Sequence, residues 1–335
     1  MVELKRCNDQ EIWDDYILDN RGHPFQLWGW GQVKASNGWQ AIRLFLVDEE
    51  EKLGAVQVLV KPLLWPLKSF AYVPRGPVTT KDDREALLIL LATYCKKTFG
   101  SVALSIEPDE LESDGFTNLK GWKRVKNEIL PSTTISLDLS KSLDSLTADM
   151  SKTTWLSANK ALRELGDIRQ VKDKATLAEC LKIYHETANK SDFALHSDSY
   201  YNQVFNDLAD NSVIYAAYYD KKPVTFLWLA VSQATAYQMY SGINEIGHDK
   251  RANDALRWYC IQKCKEWGID SYDFGGMIGG DAQKFKKSWS DKETILVGNI
   301  EKPLTMWYFL WQFAMPIARN LSQLVKRIIR RFKRA

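Results

Sequence analysis

The sequence predicts a mixed fold of the α/β (α+β) class with two domains. Helical and strand patterns alternate along the chain: apolar residues recur at helical spacing in 82–99, whereas apolar and polar residues alternate in 133–139. A chain of 335 residues is long for one hydrophobic core and is typical of two domains. A composition with 45% hydrophobic and 26% charged residues indicates an ordinary globular protein rather than a disordered or fibrous one.

The first half combines a few helices with several strands. Asn8 or Asp9 is suited to cap the first helix, and Lys34 follows an aromatic-rich segment on a short helix. The predicted elements are a helix at 9–20, strands at 40–48, 54–61 and 70–73, a helix at 82–99, and strands at 102–107 and 133–139.

The second half has a more diagnostic order of elements. The predicted elements are helices at 144–165, 175–188 and 197–211, strands at 167–171, 213–219, 223–231 and 234–241, a helix at 252–267 and a strand at 270–274. Helix–helix–strand–strand–strand–helix–strand is the order of the GNAT (N-acetyltransferase-like) acyltransferase fold. The segment 242–254 is predicted to be a loop.

The end of the last strand is a candidate ligand site. Tyr272-Asp273-Phe274-Gly275-Gly276 alternates like a strand and then stops at two glycines, and after a loop the chain continues as the basic and aromatic segment 284–289. In α/β folds, strand ends of this kind bind anionic ligands. A β-turn beside a solvated lysine face fits the composition equally well.

The sequence YDFGG…FKKSW resembles the closing motif of the Fem aminoacyltransferases (FemABX). The resemblance recurs in order along nearly the whole chain, at 25–39, 72–78, 132–142 and 252–276. It implies two tandem GNAT-like domains, at 1–145 and 146–301, followed by a basic tail at 302–335. No heptad run is long enough for the coiled-coil insertion of some relatives, so the chain resembles the short members.

The resemblance implies an enzyme of peptidoglycan cross-bridge synthesis. Such an aminoacyltransferase moves an amino acid from aminoacyl-tRNA to the side-chain amine of a peptidoglycan precursor, carried by UDP or by a lipid pyrophosphate. It needs no cofactor and no metal. The implied partners are therefore aminoacyl-tRNA as the donor and the precursor pentapeptide as the acceptor, and we expect a monomer.

The resemblance also implies candidate site residues. Lys34 and Lys286 are expected to bind the acceptor's pyrophosphate from opposite sides of one cleft, with Phe285 beside Lys286. We expect Tyr200, Tyr240 and Glu107 to line the same cleft. Lys286 and Glu107 are the candidate catalytic residues, with Glu107 accepting or relaying a proton, although a carboxylate before a proline also fits a turn cap.

Some family positions are altered in this chain. Trp155 and Asn159 stand where the family typically has arginines, and Lys190 and His196 replace further arginines, whereas Tyr200 matches. Because lysine and arginine do not bind phosphate equivalently, these changes predict an altered substrate or a weaker activity. We retain Lys190 and His196 as candidate substrate-binding residues.

The absence of other sequence motifs narrows the chemistry. The sequence lacks the GxSxG, HExxH and GxxxxGK[ST] motifs, which excludes the common hydrolase, zinc-protease and P-loop signatures. The segment 242–254 lacks the glycine spacing with which GNAT enzymes bind coenzyme A. Two alternatives remain: a non-catalytic Fem-like protein that binds tRNA or precursor, and an acyl-CoA-dependent N-acyltransferase.

The cysteines and the two ends of the chain bear on location. Five cysteines without CxxC spacing predict reduced thiols, and the polar first twenty residues are not typical of a signal peptide, so we expect a cytoplasmic protein. Residues 302–335 contain eight basic and no acidic residues. The pattern at 316–332 predicts a basic amphipathic helix that binds the inner membrane surface. Packing of this helix on the first domain is the alternative.

Overall fold

The computed structural model describes residues 1–114, 116, 119–165, 167–191, 193–277 and 280–313. The chain forms two compact units, and both are discontinuous in sequence. The first unit contains residues 1–16, 31–130 and 296 onward, and the second contains 17–30 and 131–295. The predicted helix at 316–332 lies outside the described residues.

Helices and strands alternate along both units. The helices are α1 (Gln10–Asp19), α2 (Trp28–Ala35), α3 (Arg84–Phe99), α4 (Leu143–Ala148), α5 (Lys152–Leu165), α6 (Lys174–Ser191), α7 (Asp198–Asp207), α8 (Glu245–Asp249), α9 (Ala252–Glu266) and α10 (Gly280–Lys287). The strands are β1 (Val2–Arg6), β2 (Gln40–Asp48), β3 (Glu51–Pro62), β4 (Ser69–Pro74), β5 (Val78–Thr79), β6 (Ser101–Glu107), β7 (Lys123–Arg124), β8 (Thr133–Thr134), β9 (Ser136–Asp138), β10 (Ile168–Gln170), β11 (Ser212–Tyr219), β12 (Lys222–Val231), β13 (Thr235–Ile243), β14 (Ser271–Asp273), β15 (Thr294–Ile295) and β16 (Ile300–Pro303).

The first unit is built on a sheet with the strand order β1-β2-β3-β4-β6-β16-β7. All pairs along this order are antiparallel except β4 and β6, which are parallel and are connected through α3. Residues Leu87, Leu88 and Leu91 of α3 pack on the buried face of the sheet beside Leu104 and Ile106. Strand β6 is buried along its whole length, so its carboxyl end lies within the unit.

The second unit repeats this arrangement on a sheet with the order β10-β11-β12-β13-β14-β9. Only β13 and β14 pair in parallel along this order within the described chain, and α9 connects them. The buried face of α9, with Leu256, Cys260, Ile261 and Cys264, packs in the core of this unit. In each unit, therefore, a helix connects a parallel pair of strands, and the second of these strands is flanked by an antiparallel partner.

The units interleave in sequence because two strands pair far along the chain. Strand β9 pairs with β14 of the second unit, and β16 pairs with β6 of the first. The sequence suggests continuous ranges at 1–145 and 146–301. The compact units instead exchange the segments that carry these strands.

Three predicted elements differ from the structure. The strand predicted at 133–139 is divided into β8 and β9, which belong to different sheets. The helix predicted at 144–165 is broken into α4 and α5, because the side-chain oxygen of Ser151 accepts the Thr154 N–H at 3.1 Å and starts a new helix. The loop predicted at 242–254 contains α8, whose N-terminus is capped by the Asn244 side chain. The expected cap of α1 is present, since Asp9 accepts the Ile12 N–H.

Candidate functional site

The carboxyl end of β14 is shaped by two glycines that no other residue could replace without strain. Gly275 has φ of 72°, and a β-carbon there would lie 2.8 Å from the carbonyl oxygen of Gln238. At Gly276 a β-carbon would lie 2.1 Å from the ring of Pro131. The side chain of Asp273 accepts the Gly275 N–H at 2.7 Å, which fixes the turn after the strand. The sequence prediction of a glycine-terminated strand is correct.

Lys286 lies at this strand end. Its Nζ donates to the carbonyl oxygens of Gly275 and Gly276, both at 2.9 Å. An ammonium group has three N–H bonds, so one is left without a partner among the residues that the structure describes and remains for a ligand. The pKa of Lys286 is lowered to about 8, chiefly by burial and in part by the nearby positive charge of Arg257, whereas Asp273 opposes the shift. Lys286 is therefore a cation held at a strand end and poised to lose its charge in the neutral range.

Arg257, which the sequence analysis did not single out, is a buried cation in the same unit. Its guanidinium carbon lies 4.5 Å from the ring centroid of Phe285. Its Nε and Nη2 donate to Gln238 and Ser241 at 3.2 and 3.3 Å, and its Nη1 donates to Asn253. Among the residues that the structure describes, no carboxylate lies within ion-pair distance of it. An arginine inside the apolar face of α9 was the signal that could have found it.

The site at the end of β14 thus carries more positive than negative charge. Arg257 and Lys286 repel each other, and Asp273 is the negative group that influences Lys286. Phe285 lies against the guanidinium and packs on the core, which positions the neighbouring Lys286 on α10. A buried pair of cations costs free energy unless an anion or a developing negative charge approaches it. The arrangement is suited to bind or stabilise negative charge.

The candidate tyrosines lie in an aromatic cluster of the second unit. Tyr240 contacts the rings of Tyr184 and Tyr201, with centroids 5.9 and 5.1 Å apart. Tyr200 is buried, and exposed His196 stacks on its ring at 4.0 Å. Burial raises the pKa of Tyr240 well above its usual value, with Tyr200 and Tyr201 adding to the shift. Tyr240 therefore stays neutral, and both candidate tyrosines contribute to the packing of this cluster.

Three residues that stand where the family typically has arginines make contacts within the second unit. Lys190 is exposed and forms an ion pair with Glu245 at 2.9 Å. Trp155 packs edge-on against Trp258, with ring centroids 5.8 Å apart, and the Asn159 side chain donates to the Trp155 carbonyl. Trp155 and Asn159 therefore contribute packing and helix contacts where the family has arginines.

Glu107 ends β6 in the first unit. Its side chain is fully buried, and its two oxygens accept the N–H groups of Ile129 and Leu130 at 2.6 and 2.9 Å, together with the hydroxyl of Tyr72. Burial raises its pKa, and these hydrogen bonds oppose the shift. Glu107 thus holds the chain at 129–130 against the strand end, and its proton-relay role stays a prediction.

Lys34 also belongs to the first unit. It lies in the last turn of α2 and is half-buried, and its carbonyl oxygen accepts the N–H groups of Asn37 and Trp39. The expected short helix is present. Its role toward a pyrophosphate stays a prediction.

The segment before α9 occupies the place where a coenzyme A pyrophosphate loop is expected. Gly247 N–H donates to the Asn244 side chain at 2.9 Å, and His248 N–H donates to the Asn244 carbonyl at 3.0 Å. A β-carbon at Gly247 would lie 2.5 Å from the carbonyl oxygen of Val224, so the glycine is needed for packing. These two amides are therefore engaged within the protein instead of facing a phosphate. In the described part of the chain, no group of His, Cys, Asp and Glu could hold a metal ion.

Comparison with known proteins identifies the relatives of this chain. The acetyltransferase (GNAT) domain family matches residues 152–287. The lipid II:glycine glycyltransferase of Staphylococcus aureus is 27% identical over 228 residues, which cover 63% of this chain and 53% of that protein. The chain thus spans about half the length of the curated relatives it matches.

Two solved structures resemble the whole fold. The crystal structure of FemX matches with a TM-score of 0.81 and 18% identity, covering 93% of this chain and 99% of that one. A tandem GNAT protein from the clavulanic acid biosynthesis pathway matches with a TM-score of 0.52 and 10% identity, covering 91% and 99%. The predicted tandem GNAT-like α+β fold is confirmed. The chain is thus similar to the Fem aminoacyltransferases in sequence and in fold, as the sequence predicts.

Proposed function

We propose that this protein is an aminoacyltransferase of peptidoglycan cross-bridge synthesis. It transfers an amino acid from aminoacyl-tRNA to the side-chain amine of a precursor pentapeptide carried by UDP or by a lipid pyrophosphate. The observation that carries the proposal is Lys286, a partly buried cation with one N–H bond left for a ligand at the glycine-terminated end of β14. Similarity to a glycyltransferase that is named for acting on lipid II supports the reaction class.

The proposed reaction needs positioning and charge stabilisation more than a covalent intermediate. The acceptor amine attacks the ester carbonyl carbon, the C–N bond forms, and the carbonyl oxygen becomes negative. The Lys286 ammonium donates its remaining N–H to that oxygen. The bond to the ribose oxygen then breaks, and the amine loses a proton as that oxygen gains one. Phe285, held by Arg257, keeps Lys286 in place.

Aminoacyl-tRNA suits this chain better than coenzyme A as the donor. The amides of Gly247 and His248 are hydrogen-bonded within the protein, in the segment where coenzyme A would need them. Exposed basic residues near this segment, His248, Lys250 and Arg251, are suited to contact RNA phosphates. This disfavours the acyl-CoA alternative.

The remaining parts of the proposal concern the acceptor site and the membrane. Lys34 binds the acceptor's pyrophosphate, because the one remaining N–H of Lys286 is assigned to the ester oxygen instead. Tyr200, Tyr240 and His196 line the acceptor site, and Glu107 relays a proton if Glu107→Gln slows single-turnover transfer. The basic tail at 302–335, with its predicted amphipathic helix at 316–332, brings the protein, as a monomer in the cytoplasm, to the inner membrane surface. Removing residues 314–335 should then weaken binding to anionic vesicles more than binding to neutral ones.

Mass spectrometry tests the proposal directly. The precursor pentapeptide is incubated with a pool of charged tRNA, and the product is expected to gain the mass of one amino acid residue. Pretreatment with ribonuclease should abolish the product, and coenzyme A thioesters should give none. Binding of charged tRNA and precursor with no product under any condition would instead support the non-catalytic alternative.

A further inference from the structure

The turn between β3 and β4 carries two exposed apolar side chains at its tip. Leu64 and Trp65 are 88% and 84% exposed. The turn has fixed hydrogen bonds, because Leu63 N–H donates to the Lys68 carbonyl at 2.8 Å and Leu67 N–H to the Leu64 carbonyl at 3.0 Å. The structure therefore holds a tryptophan and a leucine in solvent on an ordered hairpin.

A second exposed apolar group flanks the same core. Residues 308–313 are helical, and within this helix Tyr308 and Trp311 are buried whereas Phe309 and Phe313 are 73% and 74% exposed. Trp311 stacks on Phe70 at 4.7 Å. One face of the helical residues 308–313 is thus anchored, and the other is presented to solvent.

The two groups are neighbours through one cluster of the first unit. The cluster contains Phe70, Tyr308 and Trp311, and the residues that flank the hairpin tip, Leu63 and Leu67, pack against it. Phe70 follows the residue pair that closes the hairpin, Pro62 and Ser69. The hairpin tip and the helix therefore border the same aromatic cluster.

The charges around these groups favour a lipid surface over a protein. Residues 61–70 contain two lysines and no acidic residue, and Lys302 is the one charged residue of 302–313. Tryptophan and phenylalanine beside lysines are typical of segments that lie at a bilayer interface. No helix in the described ranges is long and apolar enough to span a bilayer. The surface is therefore suited to contact a membrane without crossing it.

We propose that Leu64 and Trp65, together with Phe309 and Phe313, form a docking surface for an anionic phospholipid bilayer. This contact lies on the folded first unit and uses no residue after Phe313. It goes beyond the proposed reaction and rests on it only in explaining how the protein reaches a lipid-linked acceptor. The four side chains enter the interfacial region while basic residues attract the anionic headgroups.

Vesicle binding by the full-length protein tests the surface. The double variants Leu64→Ser/Trp65→Ser and Phe309→Ser/Phe313→Ser should each bind vesicles of phosphatidylglycerol and phosphatidylcholine about tenfold more weakly than the wild type. The control Ile12→Ser/Ile89→Ser changes two half-exposed apolar residues of the same unit and should bind like the wild type. Equal binding by all four proteins would overturn the proposal. Unchanged transfer to a UDP-linked acceptor would show that the proposed reaction does not depend on this surface.

A label at the hairpin tip gives a second readout that does not depend on affinity. All five native cysteines are buried, so a cysteine introduced by Trp65→Cys can be labelled selectively with an environment-sensitive fluorophore. Its emission should shift to the blue with anionic vesicles and be quenched by nitroxide-labelled lipids. An emission spectrum that does not shift with anionic vesicles would overturn the proposal. A concentration-dependent dimer that Leu64→Ser/Trp65→Ser abolishes in the absence of lipid would assign the surface to a protein contact instead.

Discussion

Each unit contains one parallel pair of strands, and the groups at the carboxyl end of the second strand of that pair differ between the units. In the first, the carboxylate of Glu107 closes the end of β6 by accepting two backbone N–H groups and a tyrosine hydroxyl. In the second, the end of β14 presents carbonyl oxygens, and the ammonium of Lys286 binds them with one N–H bond left over. The same position in a repeated architecture is filled by protein in one unit and leaves a donor for a ligand in the other.

The difference between the two strand ends indicates which of them takes part in the reaction. A group whose partners are all within the protein stabilises the fold, whereas a buried cation with a remaining donor can act on a ligand. We therefore expect substitutions at the end of β14 to change the reaction and those at the end of β6 to change stability.

The largest effect is expected for Lys286→Met. Loss of the ammonium should lower kcat by about 100-fold or more, because an oxyanion donor is typically worth that much. Lys287→Met is the matched control, since Lys287 is an exposed neighbour on α10 paired with Glu293, and its kcat should stay near the wild type. Equal losses in the two variants, measured by steady-state kinetics, would contradict the assignment.

The glycine at the turn after β14 should matter next. Gly275→Ala should lower both kcat and the free energy of unfolding. The positive φ alone should reduce the free energy of unfolding by about 1–2 kcal/mol, and the clash of the new β-carbon with the Gln238 carbonyl oxygen should reduce it further. Gly268 has φ of 73° and nothing within 4 Å of its β-carbon position, so Gly268→Ala isolates the backbone cost. Thermal melts and kcat should separate the variants. If both behave alike, the close approach at Gly275 is unimportant.

Arg257→Gln should change the pH dependence of transfer. Removing this positive charge raises the pKa of Lys286, so the ammonium persists to higher pH and the alkaline limb of kcat moves upward. We expect kcat at pH 7 to fall by less than about tenfold, because Lys286 keeps its hydrogen bonds. Arg257→Lys retains the charge and should keep the wild-type limb. An unmoved limb in Arg257→Gln would limit Arg257 to packing.

At the end of β6, Glu107→Gln should reduce stability by about 1–3 kcal/mol, since an amide cannot accept all three donors. The folded-state pKa of Glu107 is raised, so its contribution is full below the unfolded pKa and declines as pH rises through the folded value. The stability gap between wild type and Glu107→Gln should therefore narrow with rising pH in chemical denaturation. Tyr72→Phe removes one donor only and should cost less. A wild-type single-turnover rate in folded Glu107→Gln would end the proton-relay role.

The smallest effect is expected at Lys190. Its ion pair with Glu245 is exposed to solvent and contributes little to stability, so Lys190→Ala should leave the melting temperature nearly unchanged. If Lys190 binds substrate, the KM for tRNA or acceptor should rise about two- to fivefold with kcat constant. Glu245→Ala frees the lysine and should not raise the KM. A KM that is unchanged in Lys190→Ala removes this residue from the site.

Local periodicity predicted most of the fold. The α3 helix, the β2–β3 pair and the glycine-terminated strand β14 follow from spacing that each segment carries by itself. The break between α4 and α5 did not follow, because apolar spacing continues across Ser151 while its hydroxyl caps the new helix. Long-range pairing of β9 and β16 leaves no local signal, so the interleaving of the units could not be predicted.

The candidate site was predictable only in part. Lys286 and Phe285 were found from the family resemblance, but hydrogen bonds of Lys286 to two backbone carbonyls and its lowered pKa depend on the folded turn. Arg257 was missed because a helical arginine usually points to solvent, and only the packing of α9 buries it. Glu107 was placed at the right strand end, and the structure adds the two amides that it holds.

The most direct test of the central claim is the pH dependence of the single-turnover transfer rate for wild type and Lys286→Met. Dividing the two rates at each pH removes the titration of the acceptor amine, which is common to both proteins. The ratio of the wild-type rate to the Lys286→Met rate should be large near pH 7 and should fall as pH rises through about 8, where Lys286 loses its charge. A ratio near one throughout, or one that rises with pH, would contradict a role for the Lys286 ammonium at the end of β14.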